Sequence, residues 1–253
     1  MLRTILLVSA FVLLAPGLAL AQLVELEGRY WFTSLDARVR VDSDSLSGTN
    51  VDFKDDLGID DDDAPGVRLT FGLPLNNKIR LAYTFLKFDS NTTLDQTINF
   101  NGSTFGAGTQ VGSDLEIHYG RLGWIWQPIA IPGILKLGPM VDLKGVVIDA
   151  NIETRNVTPS TEEGKELGLI LPTIGAALDF TAIPKVDLFA EISGLPAGSL
   201  GHVLDAEAGI RINPLPFFTI SAGYRIFDVK IEHSDDSAKA RLHGPFVGAS
   251  VRF

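Results

Sequence analysis

The chain has 253 residues, with 31 acidic and 21 basic side chains, a formal net charge of −10, 45% hydrophobic residues and no cysteine. That balance excludes a nucleic-acid binder, which needs a basic face, and the lack of cysteine excludes a disulfide scaffold, a thiolate metal site and a cysteine nucleophile. A chain this hydrophobic is not disordered, and 25 Gly and 13 Pro are too many for a helical bundle, which leaves an acidic, turn-rich β protein.

Residues 1–21 read as a cleaved secretory signal peptide. Arg3 supplies the positive start, Ile5 to Leu14 are apolar apart from Ser9, and Ala19-Leu20-Ala21 forms an A-x-A cleavage site. The mature chain then begins at Gln22 and carries −11, that is −10 less the charge of Arg3. An uncleaved membrane helix is the alternative, disfavoured by Pro16 and Gly17. With no cysteine after the cleavage site, a lipoprotein anchor is excluded. Residues 22–253 read as one domain without internal repeats, and none of its stretches holds the 18 consecutive apolar residues of a membrane helix.

The mature chain alternates apolar and polar residues with period two, the signature of strands with one apolar face. Val67, Leu69, Phe71 and Leu73 alternate with Arg68, Thr70 and Gly72, and Ile79, Leu81, Tyr83 and Phe85 with Arg80, Ala82 and Thr84. The pattern recurs over 134–145, 205–212, 218–226 and 247–253. Strands are predicted at 23–40, 66–74, 78–88, 113–126, 134–149, 167–182, 186–193, 204–213, 217–230 and 240–253. Their connectors alternate in length. Residues 74–78, 127–133, 183–186 and 213–216 are short and contain proline, whereas 42–65, 89–113, 151–165, 194–203 and 232–239 are long and polar. Four short turns and five long loops make ten strands with both termini at one end. Eight is the alternative, if 186–213 forms an irregular hairpin. Tyr30, Phe32, Trp124, Trp126, Phe180 and Phe217 fall near strand ends, where interfacial aromatic girdles sit.

The A-x-A signal, the alternating strands and the closing Val251-Arg252-Phe253 resemble the small bacterial outer-membrane β-barrel proteins of the OmpA- and OmpW-like type, and the stretch from Val51 to Asp60 resembles a segment of that broad group. The resemblance implies an all-β fold, a single antiparallel up-and-down transmembrane β-barrel with short periplasmic turns and long extracellular loops. It also implies Sec export, periplasmic termini, outer-membrane lipid and lipopolysaccharide as surroundings, and Phe253 as the signal read by the barrel-assembly machinery. It implies no activity.

If the apolar alternate residues face lipid, the other set lines a lumen. That set comprises Glu25, Glu27, Arg29, Arg68, Arg80, Arg121, Lys136, Asp142, Lys144, Asp179, Asp187, Glu191, Asp205, Glu207, Arg211, Arg225 and Arg252, eight acids against nine bases. Paired charges persist in a confined interior where isolated ones do not, so the near-balance favours a lumen filled by ion pairs over a charge-selective pore. The face of His118 is undecided by the pattern.

Other candidates are weaker. Asp60, Asp61, Asp62 and Asp63 offer oxygen ligands for a divalent cation but lack EF-hand spacing, so the run reads first as a solvated acidic loop. Nine acids and one base fall between Asp42 and Asp63, a net of −8 that accounts for most of the chain's charge. His233-Ser234-Asp235-Asp236, with Ser237 and His243 nearby, suggests a hydrolase, yet neighbouring His and Ser on a strand point to opposite faces. The H-x-S arrangement of lipid A deacylases and the Asp-x-His pair of omptin proteases are both absent. Asn91-Thr92-Thr93 and Asn101-Gly102-Ser103 are read as turns, and the Gly102–Gly112 glycines do not form a phosphate loop. The expectation is a monomeric, non-enzymatic, cofactor-free envelope barrel, with a narrow solute channel, a lipid- or peptide-modifying enzyme and a soluble periplasmic ligand-binding barrel as competing readings.

Overall fold

The computed structural model describes residues 24–40, 49–59, 62–100, 103–155, 162–196, 201–233 and 236–253. The signal segment, Gln22, Asp60, Asp61 and Ser234-Asp235 lie outside them, as do the side chains of His233, Asp236 and Ser237. Ten long strands form the wall: β1 Val24–Arg40, β2 Asp62–Leu73, β3 Asn77–Thr93, β4 Gln110–Trp126, β5 Leu135–Thr154, β6 Glu162–Ile183, β7 Val186–Pro196, β8 Gly201–Leu215, β9 Phe218–His233 and β10 Asp236–Arg252. Each pairs antiparallel with the next, and β10 pairs with β1 from Arg252 opposite Glu25 to Ser237 opposite Arg40. The sheet is therefore closed, and no long strand is left with an unpaired edge. The count is ten, not eight, because 186–213 contributes two full wall strands rather than an irregular hairpin.

At the end carrying the termini, the Phe253 amide donates to the Val24 carbonyl at 2.9 Å and finishes the seam. The short connections between β2 and β3, β4 and β5, β6 and β7, and β8 and β9 lie at this same end. The connection between β4 and β5 is more than a turn: Ile129–Ile131 pairs back onto Leu135–Leu137 as a small outward flap.

Several strands run beyond the predicted spans. β3 continues to Thr93 and β4 starts at Gln110, with continuous pairing from Asn77 opposite Trp126 to Thr93 opposite Gln110. Likewise β5 and β6 pair out to Glu153 opposite Glu162, and β9 and β10 to His233 opposite Asp236. The predicted long loops are correspondingly shorter, because polar residues that read as loop are strand residues with a solvated outer face. The loop between β3 and β4 retains a small hairpin of its own, Ile98–Phe100 with Ser103–Phe105.

The outer surface changes character along its height. From the short-turn end β3 presents Ile79, Leu81, Tyr83 and Phe85, then Lys87 and Asp89; β4 presents Trp126, Trp124 and Leu122, then His118, Glu116 and Asp114. On β5, Val141 and Leu143 give way to Asp149, and on β6 Ile174 and Ile170 give way to Glu166. The apolar band covers roughly the nine to eleven residues that a tilted strand needs to cross a bilayer. Such a continuous apolar surface is stable only in lipid, and the strand length beyond it stands clear of the membrane. Trp124, Trp126 and Phe217 mark one border of the band. Tyr30, Tyr83 and Tyr224 mark the other, with hydroxyls bonded to Asp63 at 2.9 Å, His118 at 2.7 Å and His243 at 2.9 Å. His118 thus faces outward, in the polar rim of the girdle.

Candidate functional site

The interior is organised in three layers, and its polarity is the reverse of the outer surface at each height. Where the outside is apolar the inside is mainly charged, with Phe189 and the small cluster of Ile125, Met140 and Ala177 as buried apolar exceptions, and where the outside is charged the inside is mainly apolar. The inversion occurs without a register shift: on β3, Arg80 and Thr84 face inward at membrane height, and Leu86 and Phe88 face inward above it, each 1% exposed.

The middle layer is a network of ion pairs. Glu207 accepts from Arg29 at 2.8 Å and from Arg68 at 2.9 Å, and Glu27 accepts from Arg29 and from the Ser221 hydroxyl. Arg80 donates from a single nitrogen, Nη1, to both carboxylate oxygens of Glu191, at 2.6 and 2.5 Å. Arg121 bridges Glu191 and Asp142, and Lys144 lies 3.0 Å from Asp142 while also donating to Thr173 and Ser193. Asp205 takes both Arg225 and Lys144 and accepts the Tyr119 hydroxyl at 2.8 Å. Among the described residues three arginine donors at this level, Arg68 Nε, Arg80 Nε and Arg121 Nε, have no hydrogen-bond partner, and neither does Ser113 Oγ higher up.

Toward the short-turn end lies the second layer. Asp179 accepts from Lys78 at 2.8 Å, Gln127 at 2.9 Å and Arg211 at 2.7 Å; Glu25 accepts from Arg252 and Ser250; Asp187 accepts from Asn213. Lys136 lines the same space. Lys78, at the shared boundary of the predicted connector 74–78 and strand 78–88, is a lumen residue missing from the predicted set, and its parity with Arg80 is the signal that finds it.

The third layer is an apolar plug in the part that stands above the membrane. Leu35, Leu86, Phe88, Leu115, Ile117, Val146, Phe227 and Leu242 point inward, and Val51, Phe53, Leu57 and Ile59 of the first loop and Leu94, Ile98 and Phe105 of the second fold in among them. The first loop is therefore not a simply solvated acidic segment. Its described apolar residues Val51, Phe53, Leu57 and Ile59 are buried, while Lys54, Asp55 and Gly58 are exposed. Arg38 clips it to β1 through Asp52 at 2.7 Å, the Asp52 carboxylate accepts the Lys54 and Asp55 amides, and the Ser90 hydroxyl donates to the Leu57 carbonyl. Burial works to raise the Asp52 carboxyl, but these bonds outweigh it and hold it below the ordinary aspartate value.

Aromatic rings pack against the guanidinium groups of both charged layers. Arg29 stacks on Phe246 at 4.1 Å, Arg211 on Phe189 at 3.9 Å, and Arg225 lies between Trp31 and Tyr119 at 4.8 and 4.9 Å. The Trp31 indole donates to the Gly244 carbonyl at 3.1 Å. Gly244 is required there, since a Cβ would sit 1.9 Å from the Phe32 carbonyl oxygen.

Among the described residues no group of three or more His, Asp or Glu side chains converges as a metal site. Asp62 and Asp63 of the acidic run are exposed at the rim, and Asp63 is bonded to Tyr30. His243 faces outward, with one ring nitrogen bonded to Tyr224 at 2.9 Å and the other 3.4 Å from Asp36.

Similarity to known proteins is structural. The outer-membrane protease OmpT of Escherichia coli superposes with a TM-score of 0.63 at 8% identity, covering 91% of this chain and 96% of that one. The chain has the fold of the bacterial outer-membrane β-barrels. Fainter likenesses are to the translocator domain of the autotransporter NalP from Neisseria meningitidis, with a TM-score of 0.49 at 10% identity over 91% and 88% of the two chains, and to the attachment invasion locus protein Ail of Yersinia pestis, at 0.37 and 13% over 91% and 97%. No protein-family model matches the chain, and no curated protein matches it in sequence. At such identities the likeness is one of fold alone, so this barrel's role has to be read from its own interior.

Proposed function

We propose that this outer-membrane barrel is a sealed, non-enzymatic structural element of the cell envelope, exported by the Sec route, with both termini and the short turns in the periplasm and the strand extensions outside. One observation carries the reading: the lumen is closed twice, by the ion-paired layer and by the apolar plug. A conducting pore needs a continuous wetted path, whereas the described plug side chains are mostly apolar and buried, with Ser113 among them. The orientation follows the rule that short turns are periplasmic and long connections extracellular. His243 fits this reading, because both its ring nitrogens are engaged on the outer wall, away from the lumen.

The test is planar-bilayer recording with the folded, detergent-extracted chain. No discrete conductance steps are expected at any applied voltage that the bilayer tolerates. Reproducible single-channel steps would overturn the sealed reading and favour a narrow solute channel.

A further inference from the structure

Below the plug the interior does not balance. With Lys78 included, ten cationic side chains (Arg29, Arg68, Lys78, Arg80, Arg121, Lys136, Lys144, Arg211, Arg225, Arg252) face eight carboxylates, a surplus of two positive charges. Uncompensated charge is costly in a confined interior and draws in a counter-ion.

The surplus has an address. A cavity of about 290 Å³ lies in the lumen at the short-turn end, with Lys78, Lys136, Arg211 and Arg252 around it and Arg68 and Arg80 among its walls. Lys136 stands opposite Asp179 in the β5–β6 register, the position of a natural partner. Asp179 is already taken: one oxygen accepts from Lys78 and Gln127, and the other from Arg211. Lys136 has no ion-pair partner among the described residues. Arg68 and Arg80 are 6% and 4% exposed, and each keeps a buried Nε without a hydrogen-bond acceptor. Four carboxylates also line the space, but Glu25 is held by Arg252, Glu27 by Arg29, Asp179 as described, and Asp187 accepts from Asn213.

We propose that this cavity is a binding site for a small inorganic oxyanion of the phosphate class, entering from the short-turn end. The volume equals that of roughly ten liquid waters at about 30 Å³ each, enough for such an ion with part of its hydration shell and below the range of pockets for drug-sized ligands. Guanidinium and ammonium donors converging from several strands match the several acceptor oxygens of an oxyanion better than a single halide. The site is blind, so it stores or senses an ion at one mouth of the barrel instead of passing it.

Isothermal titration of the full chain, folded in detergent micelles and checked by heat-modifiable migration, with inorganic phosphate in chloride buffer tests this. Saturable one-site binding is expected, weakened ~10-fold or more in Lys136→Gln through loss of a charge-assisted hydrogen bond, and retained in Lys136→Arg. Lys87→Gln, on the outer wall, should bind as the parent does. Thr181→Asp, which places a fixed counter-charge at the cavity wall, should abolish binding in a chain that still folds. The proposal is overturned by absence of saturable binding in the parent, by unchanged affinity in folded Lys136→Gln or Thr181→Asp, or by equal displacement by chloride and sulfate.

Discussion

The Tyr119 hydroxyl donates to the Asp205 carboxylate at 2.8 Å, while the Tyr119 ring packs edge-on against Phe227 with centroids 5.0 Å apart. One side chain thus belongs to both halves of the interior: its oxygen completes the charged layer and its ring begins the apolar plug. Below it the barrel is held by ion pairs inside a lipid-facing wall. Above it the barrel is built like a water-soluble one, apolar inside and polar outside.

Replacing Tyr119 by Phe keeps the ring and removes the bond. Asp205 retains Arg225 and Lys144, so the barrel should still close. A loss of ~1.5–3 kcal/mol is expected for a hydrogen bond to a charged group, measured by urea unfolding in lipid vesicles. An unchanged unfolding midpoint would show that the bond adds nothing.

Glu207 is the carboxylate shared by Arg29 and Arg68. Its replacement by Ala leaves two buried guanidinium groups short of a partner and should cost ~3–5 kcal/mol, with Glu207→Gln intermediate because it still accepts hydrogen bonds. The same vesicle unfolding assay ranks the two variants; an Ala variant as stable as the parent contradicts the network's role.

Leu57 is 1% exposed within the plug, although it sits on a loop. Leu57→Ala should destabilise the outer half by ~2–5 kcal/mol and speed proteolytic cutting of the loop. Conductance should stay absent, since the charged layer beneath is untouched. Steps appearing in bilayers would mean that the plug alone seals the lumen.

Acid should release the same loop. The Asp52 carboxyl is held below its unfolded value of 3.8. A depressed carboxyl contributes stability that is complete above the unfolded value and is lost as pH falls through the folded one. The anchor to Arg38 is therefore intact at neutral pH and fails on the acid side of 3.8. Hydrogen exchange at the Lys54 and Asp55 amides, corrected for intrinsic rate, should rise there, and Asp52→Asn should remove that pH dependence. Protection that is flat across this range in the parent contradicts the assignment.

Phe253 is 62% exposed and closes the seam with Val24 through the backbone. Its deletion should lower the heat-modifiable, folded fraction in the outer membrane, as expected if the assembly machinery reads the terminal aromatic. Phe253→Tyr should restore it. Normal insertion of the truncated chain contradicts that role.

Sequence alternation determined where the strands lie and which parity faces lipid, because side-chain direction on a strand has period two and lipid tolerates only one kind of residue on its side. The choice of ten strands over eight needed the pairing of 186–213. It also determined that charged residues such as Glu27, Arg80 and Lys144 share the inner parity. It did not reveal the plug, although the exchange of phase at Phe85-Leu86 and the spacing of Val51, Phe53, Leu57 and Ile59 carried that signal. An apolar residue reads alike whether lipid or a protein core receives it, and only the height of the membrane along the strand separates the two. Partner choice was likewise closed to the sequence. Asp179 and Lys136 are cross-strand neighbours, yet Asp179 is satisfied by Lys78, Gln127 and Arg211 from other parts of the wall. That choice depends on how ten strands curl around a common interior, which brings together side chains separated by 101 residues and leaves Lys136 facing an open cavity.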